Sequence, residues 1–207
     1  MSVAIASDTR LETVTRMVQV EGFRPIMFDR YAGDNNTRLA WNEKMYLRPG
    51  TNQLVLPIDN VFSFYTAINT SSAPKRLRDS RKYKDICSAI QSFVLFEGED
   101  GGEYIDFKRD GKVIEVGSFD EHHDELSGLT FHHSVARLPN GIPNPKERPL
   151  LPLPWTLRFR MTIIPNALIK EAEIKNLTVE GGIVIGFGTY RGRYGKFQVT
   201  EWSPSDN

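Results

Sequence analysis

The stretch PWTLRFRMTII, at residues 154–164, alternates apolar and polar side chains along its length. Successive side chains of a β-strand point to opposite faces of a sheet, so this pattern predicts a strand with one buried face and one exposed face. The apolar side holds Trp155, Leu157, Phe159, Met161 and Ile163, and the polar side holds Thr156, Arg158, Arg160 and Thr162. The fold must therefore place a core on one side of a sheet and two arginines on the other.

Among the other segments, SFVLF at 92–96 predicts a buried strand, two more segments predict strands, and three predict helices. Residues 13–28 and 195–202 are rich in β-branched and aromatic side chains, which favour strands. After Asp59 and Asn60, which are good helix caps, apolar residues follow at the spacing of one helix face. Further helices are expected at 79–91 and 166–177.

Between these segments lies a long middle region. Asp110-Gly111 marks a hairpin turn. The proline-rich segment 138–154 predicts an extended, semi-rigid loop. We expect a single domain over 1–207, in which 97–150 forms an insertion lobe with an acidic hairpin and the proline-rich loop.

The order of strands and helices predicts the fold class. A strand, helix, strand order near the start and a strand, helix, glycine-rich loop, strand order at the end are typical of a split β-α-β plan. We therefore expect an α+β, ferredoxin-like fold with an antiparallel sheet and a large middle insertion. Strands near 15–28, 155–164 and 196–202 should belong to one sheet.

Composition limits the classes of function. The formal net charge is zero, which argues against a protein that coats nucleic acid by bulk positive charge. No segment has the pattern of a signal peptide or a membrane span, and Cys87 is the only cysteine, expected in the core. We expect a soluble protein of the cytoplasm, or of the host cytoplasm if the chain is viral.

The stretch GFGTYRGRYGKFQV, at residues 186–199, combines glycines, basic side chains and aromatic rings. Glycines permit positive φ and close backbone approach, basic groups contact phosphates, rings stack on bases, and free backbone amides suit an anion. The alternative is a tight turn with solvated arginines. The stretch is neither a Walker loop nor a dinucleotide-binding fingerprint.

Two other basic regions are candidates. Residues 74–84 carry six basic side chains and one acid, and on a helix Arg78, Arg81 and Lys82 would share a side with Asp85. Arg158 and Arg160 lie on one face of a strand, which suits a single-stranded nucleic acid. Both regions have ordinary alternatives: a solvated charge run, or pairing with residues 97–125, where eleven acids face three bases.

The four histidines suggest a metal or catalytic site only weakly. His122-His123 and His132-His133 lie near acidic residues, but adjacent strand residues point to opposite faces, and neither CxxC nor HExxH is present. We interpret them as exposed loop histidines. We expect no cofactor, no metal and no catalytic residue, so the chain is not expected to be an enzyme.

Two stretches together resemble known families. LVLPIDNVFSFYTAI and IGFGTYRGRYGKFQV are similar to the RAMP proteins of CRISPR systems, which are ferredoxin-like RNA binders related to RRM folds. They also resemble small tailed-phage proteins with a terminal GxGxxRxxxGxF pattern, which falls here on Gly186, Gly188, Arg191, Gly195 and Phe197. The resemblance covers about a third of the chain and implies an RNA- or DNA-binding RAMP-like fold without a catalytic residue.

The sequence therefore favours a non-enzymatic protein of viral origin that binds single-stranded RNA or DNA. The candidate contacts are Lys75, Arg76, Arg78, Arg81, Lys82, Arg158, Arg160, Gly188, Tyr190, Arg191, Arg193, Tyr194 and Lys196. The alternative is a self-assembling structural protein or an inhibitor-type interaction protein, because a neutral chain with separated charges can form homo-oligomers.

Overall fold

The structure of the chain, a computed structural model, describes residues 12–34, 36–67, 72–137 and 141–205. The strands are β1 (Val14–Gly22), β2 (Ile26–Met27), β3 (Val55–Pro57), β4 (Val94–Gly98), β5 (Tyr104–Asp106), β6 (Lys108–Arg109), β7 (Lys112–Val113), β8 (Thr130–Arg137), β9 (Pro143–Leu151), β10 (Thr156–Ile163) and β11 (Phe197–Pro204). The helices are α1 (Ile58–Thr66), α2 (Ala73–Leu77), α3 (Tyr83–Phe93) and α4 (Glu171–Val184), with a 3-10 turn at Trp41–Glu43. The chain is thus a mixed α/β protein with antiparallel sheets.

The main sheet joins distant parts of the chain. Its strands run in the order β11-β1-β10, and β4 and β6 both pair with the far side of β10. Every one of these pairings is antiparallel. The three strands that the sequence assigned to one sheet all contribute to it, although the first of them is divided.

The division of the first strand follows from one tryptophan. β1 ends at Gly22, and β2 belongs to a second sheet with the order β2-β9-β8. The ring of Trp155 lies 2.0 Å from the position that a Cβ on Gly22 would take, and its Nε1 donates to the carbonyl oxygen of Arg24 at 3.0 Å. The indole therefore fills the bend between the two sheets.

The core lies between the main sheet and the helices. On β10, Leu157, Phe159, Met161 and Ile163 are buried and alternate with partly exposed neighbours, as the sequence predicted. Phe159 lies opposite the buried Val18 of β1. The Arg16 Nε donates to Glu171 at 2.7 Å, which ties the same face of β1 to the start of α4.

The helices differ from the prediction at their ends. α1 begins at Ile58 with Pro57 at the N-cap, so Asp59 and Asn60 lie in the first turn and are not the cap. The fixed φ of proline suits the start of a helix, and an acid in the first turn is favourable there.

The prediction of a helix at 79–91 is wrong for its first turn. α2 ends at Leu77, α3 begins only at Tyr83, and Arg78, Arg81 and Lys82 therefore share no helix face. The cause is local, because the Asp79 carboxylate accepts the Arg81 backbone N–H at 2.8 Å and holds a turn between the helices.

α4 is shifted relative to the expected 166–177. Its start is delayed because the Asn166 side chain accepts the N–H groups of Leu168 and Ile169, at 2.9 and 2.8 Å, and so forms a turn. The helix then continues through Gly181 and Gly182 to Val184.

The proline-rich segment was wrongly interpreted as a loop. Residues Pro143–Leu151 form β9, which pairs with β8 along its length and with β2 at its end. The carbonyl of Pro149 accepts the Phe28 N–H, on the side away from β8. In a strand the N–H and C=O of one residue point the same way. The N–H groups that Pro143, Pro145 and Pro149 lack would therefore point away from β8, so the prolines remove no hydrogen bond between β9 and β8.

The remaining elements of the middle region, β5 to β9, lie between β4 and β10 in sequence. The hairpin of β6 and β7 is confirmed, with Asp110 and Gly111 both at positive φ. That 97–150 forms a separate lobe of a single domain stays a prediction. Among the described residues, no helix combines the length and the apolar character needed to cross a membrane.

We predict that Gly182→Ala destabilises the protein although alanine favours helices. A Cβ on Gly182 would lie 2.6 Å from the backbone oxygen of Phe197, which cannot move aside alone. We expect a loss of about 1–3 kcal/mol in the free energy of unfolding, as for an overpacked core. Urea unfolding measures it, with the exposed Asn176→Ala of the same helix as the control. A stability equal to that of the control would contradict the packing.

Candidate nucleic-acid interface

The glycine-rich loop, residues 185–196, connects α4 to the edge strand β11. Its backbone is fixed by bonds to the segment around β2: Thr189 N–H donates to Met27 O at 2.9 Å, and Gly195 N–H donates to Pro25 O at 2.8 Å. Phe187 N–H donates to Gly195 O at 2.9 Å across the loop. These amides are used within the protein, so they do not form the free amide nest that the sequence suggested for an anion.

Two glycines show why the loop needs bare backbone. Gly188 and Gly195 have φ of +74° and +67°. A Cβ would lie 2.5 Å from Met27 O in the first case and 2.0 Å from Phe187 O in the second. Both conformation and space therefore require glycine, and the loop is a backbone-tight turn.

Arg191 points into the protein. Its Nε donates to Gly188 O at 3.2 Å and its Nη2 donates to Ser63 Oγ at 3.3 Å. Burial lowers the pKa of the guanidinium. Arg191 thus ties the loop to α1, and its predicted contact with phosphate stays a prediction.

The outer side of the loop carries Tyr190, Arg193 and Tyr194. The Tyr190 ring is 49% exposed, whereas Tyr194 is buried. The Arg193 side chain is exposed, with its guanidinium carbon 5.4 Å from the centre of the Tyr194 ring. Lys196 is partly exposed at the start of β11. Tyr194 therefore lies between the exposed cation of Arg193 and the exposed ring of Tyr190, whose centre is 6.2 Å from that of Tyr194.

The loop contacts the hairpin of β8 and β9. The rings of Tyr194 and His132 lie 5.5 Å apart in an edge-on arrangement, and the hydroxyl is 3.5 Å from His132 Nε2. His132 pairs across the strands with Arg148, and Lys146 lies on the same face two residues along β9.

These side chains form one basic patch, which comprises Arg193, His132, Arg148 and Lys146. Burial lowers the pKa of His132, and the charges of Arg193, Arg148 and His133 lower it further. Arg148 is buried and pairs with Asp29 at 2.7 Å. Arg193 and Arg148 therefore both lie near His132, and Asp29 offsets the charge of Arg148 alone.

The basic segment 74–84 lies against the end of α4 that leads into the loop. A Cβ on Gly181 would lie 3.1 Å from the Cβ of Ala73, at the start of α2. The side chains of Lys75, Arg76, Arg81 and Lys82 are exposed.

Ion pairs occupy part of this segment. Arg78 lies 3.2 Å from Glu180 and 3.8 Å from Glu173, both on α4. Arg81 lies 3.2 Å from Asp79. Arg76 and Lys82, which are exposed and belong to none of these ion pairs, are therefore better candidates for a ligand than Arg78 or Arg81.

Arg158 and Arg160 lie elsewhere, on the face of the main sheet opposite the core. Arg158 donates to Glu99 and Glu201, each at 2.9 Å, and these bonds raise the pKa of its guanidinium. Arg160 lies 3.8 Å from Glu97. The sequence left pairing with the acidic segment open, and Glu97 and Glu99 belong to it.

The histidines separate into two groups. His122 and His123 are exposed and precede β8, and the His122 ring stacks on Phe131 with centres 4.5 Å apart. His132 and His133 lie in β8, which corrects their interpretation as loop residues. No group of three metal-ligating side chains occurs in the part of the chain that the structure describes.

The sequence analysis did not place His132, Arg148 and Lys146 beside the glycine-rich loop. The available signal was the spacing of two residues between Lys146 and Arg148, which puts both side chains on one face of a strand. The prolines concealed it, because they led to the interpretation of 138–154 as a loop.

Comparison with known proteins adds a likeness of fold. No family model matches the chain, and no curated protein matches it. Among solved structures, it is similar to a chain of the type III-B Cmr-beta complex, seen by cryo-electron microscopy bound to cognate target RNA, with 11% identity and a TM-score of 0.54. The match covers 93% of this chain and 61% of that chain, so this chain spans less than two thirds of its neighbour. The resemblance to RAMP proteins is supported at the level of the fold, and the phage resemblance stays a prediction.

We predict that Gly195→Ala destabilises the protein much more than Gly50→Ala. Gly50 has a similar φ of +73°, but a Cβ there would meet nothing within 4 Å. The control should lose about 1–2 kcal/mol for the left-handed conformation alone. Gly195→Ala should lose about 1–3 kcal/mol more, from the clash with Phe187 O. Denaturant unfolding of both variants tests this, and equal losses would show that the loop can relax.

Proposed function

We propose that the chain is a non-enzymatic protein that binds single-stranded nucleic acid at the glycine-rich loop and the basic patch. Arg193 contacts phosphate, and the exposed ring of Tyr190 stacks on a base. Lys196 and the exposed basic side chains of 74–84 extend the positive surface along α4. Both RNA and DNA present the phosphates and base faces that this surface recognises.

The observation that carries the proposal is the convergence of the loop and the hairpin. Tyr194 contacts His132, so residues far apart in sequence form one surface. Within the described residues, no carboxylate forms an ion pair with Arg193. An exposed guanidinium, in the same loop as the exposed ring of Tyr190, suits a polyanion with bases.

The fold gives further support. The order β11-β1-β10-β4, with helices between β1 and β4 and between β10 and β11, is the arrangement expected of a ferredoxin-like, RAMP-like protein. A chain of this fold occurs in a complex bound to target RNA. We therefore favour RNA as the first ligand to test.

The open face of the main sheet is a weaker candidate surface. A phosphate that approached Arg158 would have to replace its bonds to Glu99 and Glu201. Those carboxylates would also repel the phosphate. We infer that Arg158 and Arg160 act mainly in the stability of the sheet.

Arg193→Ala should weaken binding to a labelled single-stranded oligonucleotide while the fold survives. Loss of one phosphate contact flattens the slope of log affinity against log salt by about 0.7 for single strands. The measurement is fluorescence anisotropy across a salt series. Lys112→Ala, which removes one exposed charge from β7, is the matched control and should bind as the wild type does.

Two results would contradict this proposal. Absence of binding by the wild type at low salt would favour the alternative, an interaction protein that self-associates through its separated charges. Equal weakening by Lys112→Ala would show that net charge matters and that the loop does not.

We further predict that the pure protein has no nuclease activity that depends on a histidine. The ring of His122 stacks on Phe131, that of His132 contacts Tyr194, and among the described residues neither belongs to a group of three metal-ligating side chains. Incubation with labelled RNA and DNA should leave both intact. Cleavage that is lost in His122→Ala, His123→Ala, His132→Ala or His133→Ala would contradict this expectation.

A further inference from the structure

His132 lies at the junction of the loop and the hairpin, and its ring is partly exposed. From the loop, Tyr194 contacts the ring, and the Arg193 guanidinium carbon lies 5.4 Å from the centre of the Tyr194 ring. From β9, Arg148 lies opposite, and from β8 itself His133 is adjacent. Asp29 is bound to Arg148, and no described carboxylate contacts His132.

This environment disfavours a second positive charge in the free protein. Burial and the neighbouring cations lower the pKa of His132, so the imidazole is mostly neutral at neutral pH. A phosphate bound at Arg193 would bring a negative charge close to the ring and offset the neighbouring cations. The same ring would then gain a proton more easily.

We propose that His132 binds a phosphate group of the nucleic acid as an imidazolium, beside Arg193, so that binding takes up a proton. This inference rests on the proposed function. The Tyr194 hydroxyl lies 3.5 Å from Nε2 and can contact the ring in both protonation states, because it donates to the neutral ring that carries its proton on Nδ1 and accepts from the charged one.

The direction of the pH dependence follows from linkage. Binding raises the pKa of His132, so affinity rises as pH falls from above the pKa of the complex to below that of the free protein. Each unit by which binding raises the pKa increases the affinity about tenfold across that interval. Outside this interval, His132 does not make the affinity depend on pH.

The experiment measures the affinity of oligo(U) and oligo(dT) for the full chain at low salt, from about pH 5 to pH 8, where histidine changes charge. The bases of these probes do not take up protons in this range. The variants are His132→Gln, His132→Arg and His133→Gln. His133 is the matched control, because it lies on the opposite face of β8, across from Glu147.

We expect the wild type and His133→Gln to bind more tightly as pH falls, by about tenfold for a shift of one unit. His132→Gln should bind weakly at every pH, and His132→Arg tightly at every pH. The same pH slope in His132→Gln as in the wild type would overturn the inference but leave the proposed function intact. No binding by the wild type at any pH would overturn both.

A second measurement does not depend on how the variants fold. Titration of the His132 ring by NMR in the wild type, with and without oligo(U), should show a higher pKa in the complex. An unchanged pKa in a saturated complex would overturn the inference.

Discussion

Three phenylalanine rings meet over a pair of glycines at the end of α4, and the position of the glycine-rich loop depends on this contact. Phe187 of the loop stacks on Phe197 of β11 at 4.5 Å, and Phe64 of α1 lies 5.1 Å from Phe187. A Cβ on Gly181 would lie 2.5 Å from the Phe64 ring. Helix α4 therefore accepts two glycines, at about 1 kcal/mol each in helix propensity, because only bare backbone lets the rings close over it.

Two elements whose cause is local were predicted correctly from the sequence. The alternation along β10 and the Asp110-Gly111 turn depend on neighbouring residues, and both are present in the structure. The C-terminal end of α4 was predicted poorly, because its extension through Gly181 packs against Phe64, a residue far away in sequence. Periodicity cannot show which ring will occupy the space that a glycine leaves.

In the candidate interface, too, the sequence could predict only the geometry that depends on neighbouring residues. The glycine-rich loop has a local signature, so its tight backbone could be expected. The arginines of the chain look alike in sequence, yet Arg158 is held by Glu99 and Glu201, whereas Arg193 lies beside Tyr194. That difference arises only when strands from distant segments pair. Partner identity, more than residue type, separates a structural arginine from a candidate contact.

The prolines of β9 also affect how the protein behaves in solution. Along 143–149, the side of β9 away from β8 pairs with no described strand until β2 begins at its end. An unpaired strand edge normally offers donors on which another chain can build a sheet. On this edge the donors of Pro143, Pro145 and Pro149 are missing, so an incoming strand would find too few bonds. The hairpin can thus extend a basic surface into solvent with little tendency to aggregate through its edge.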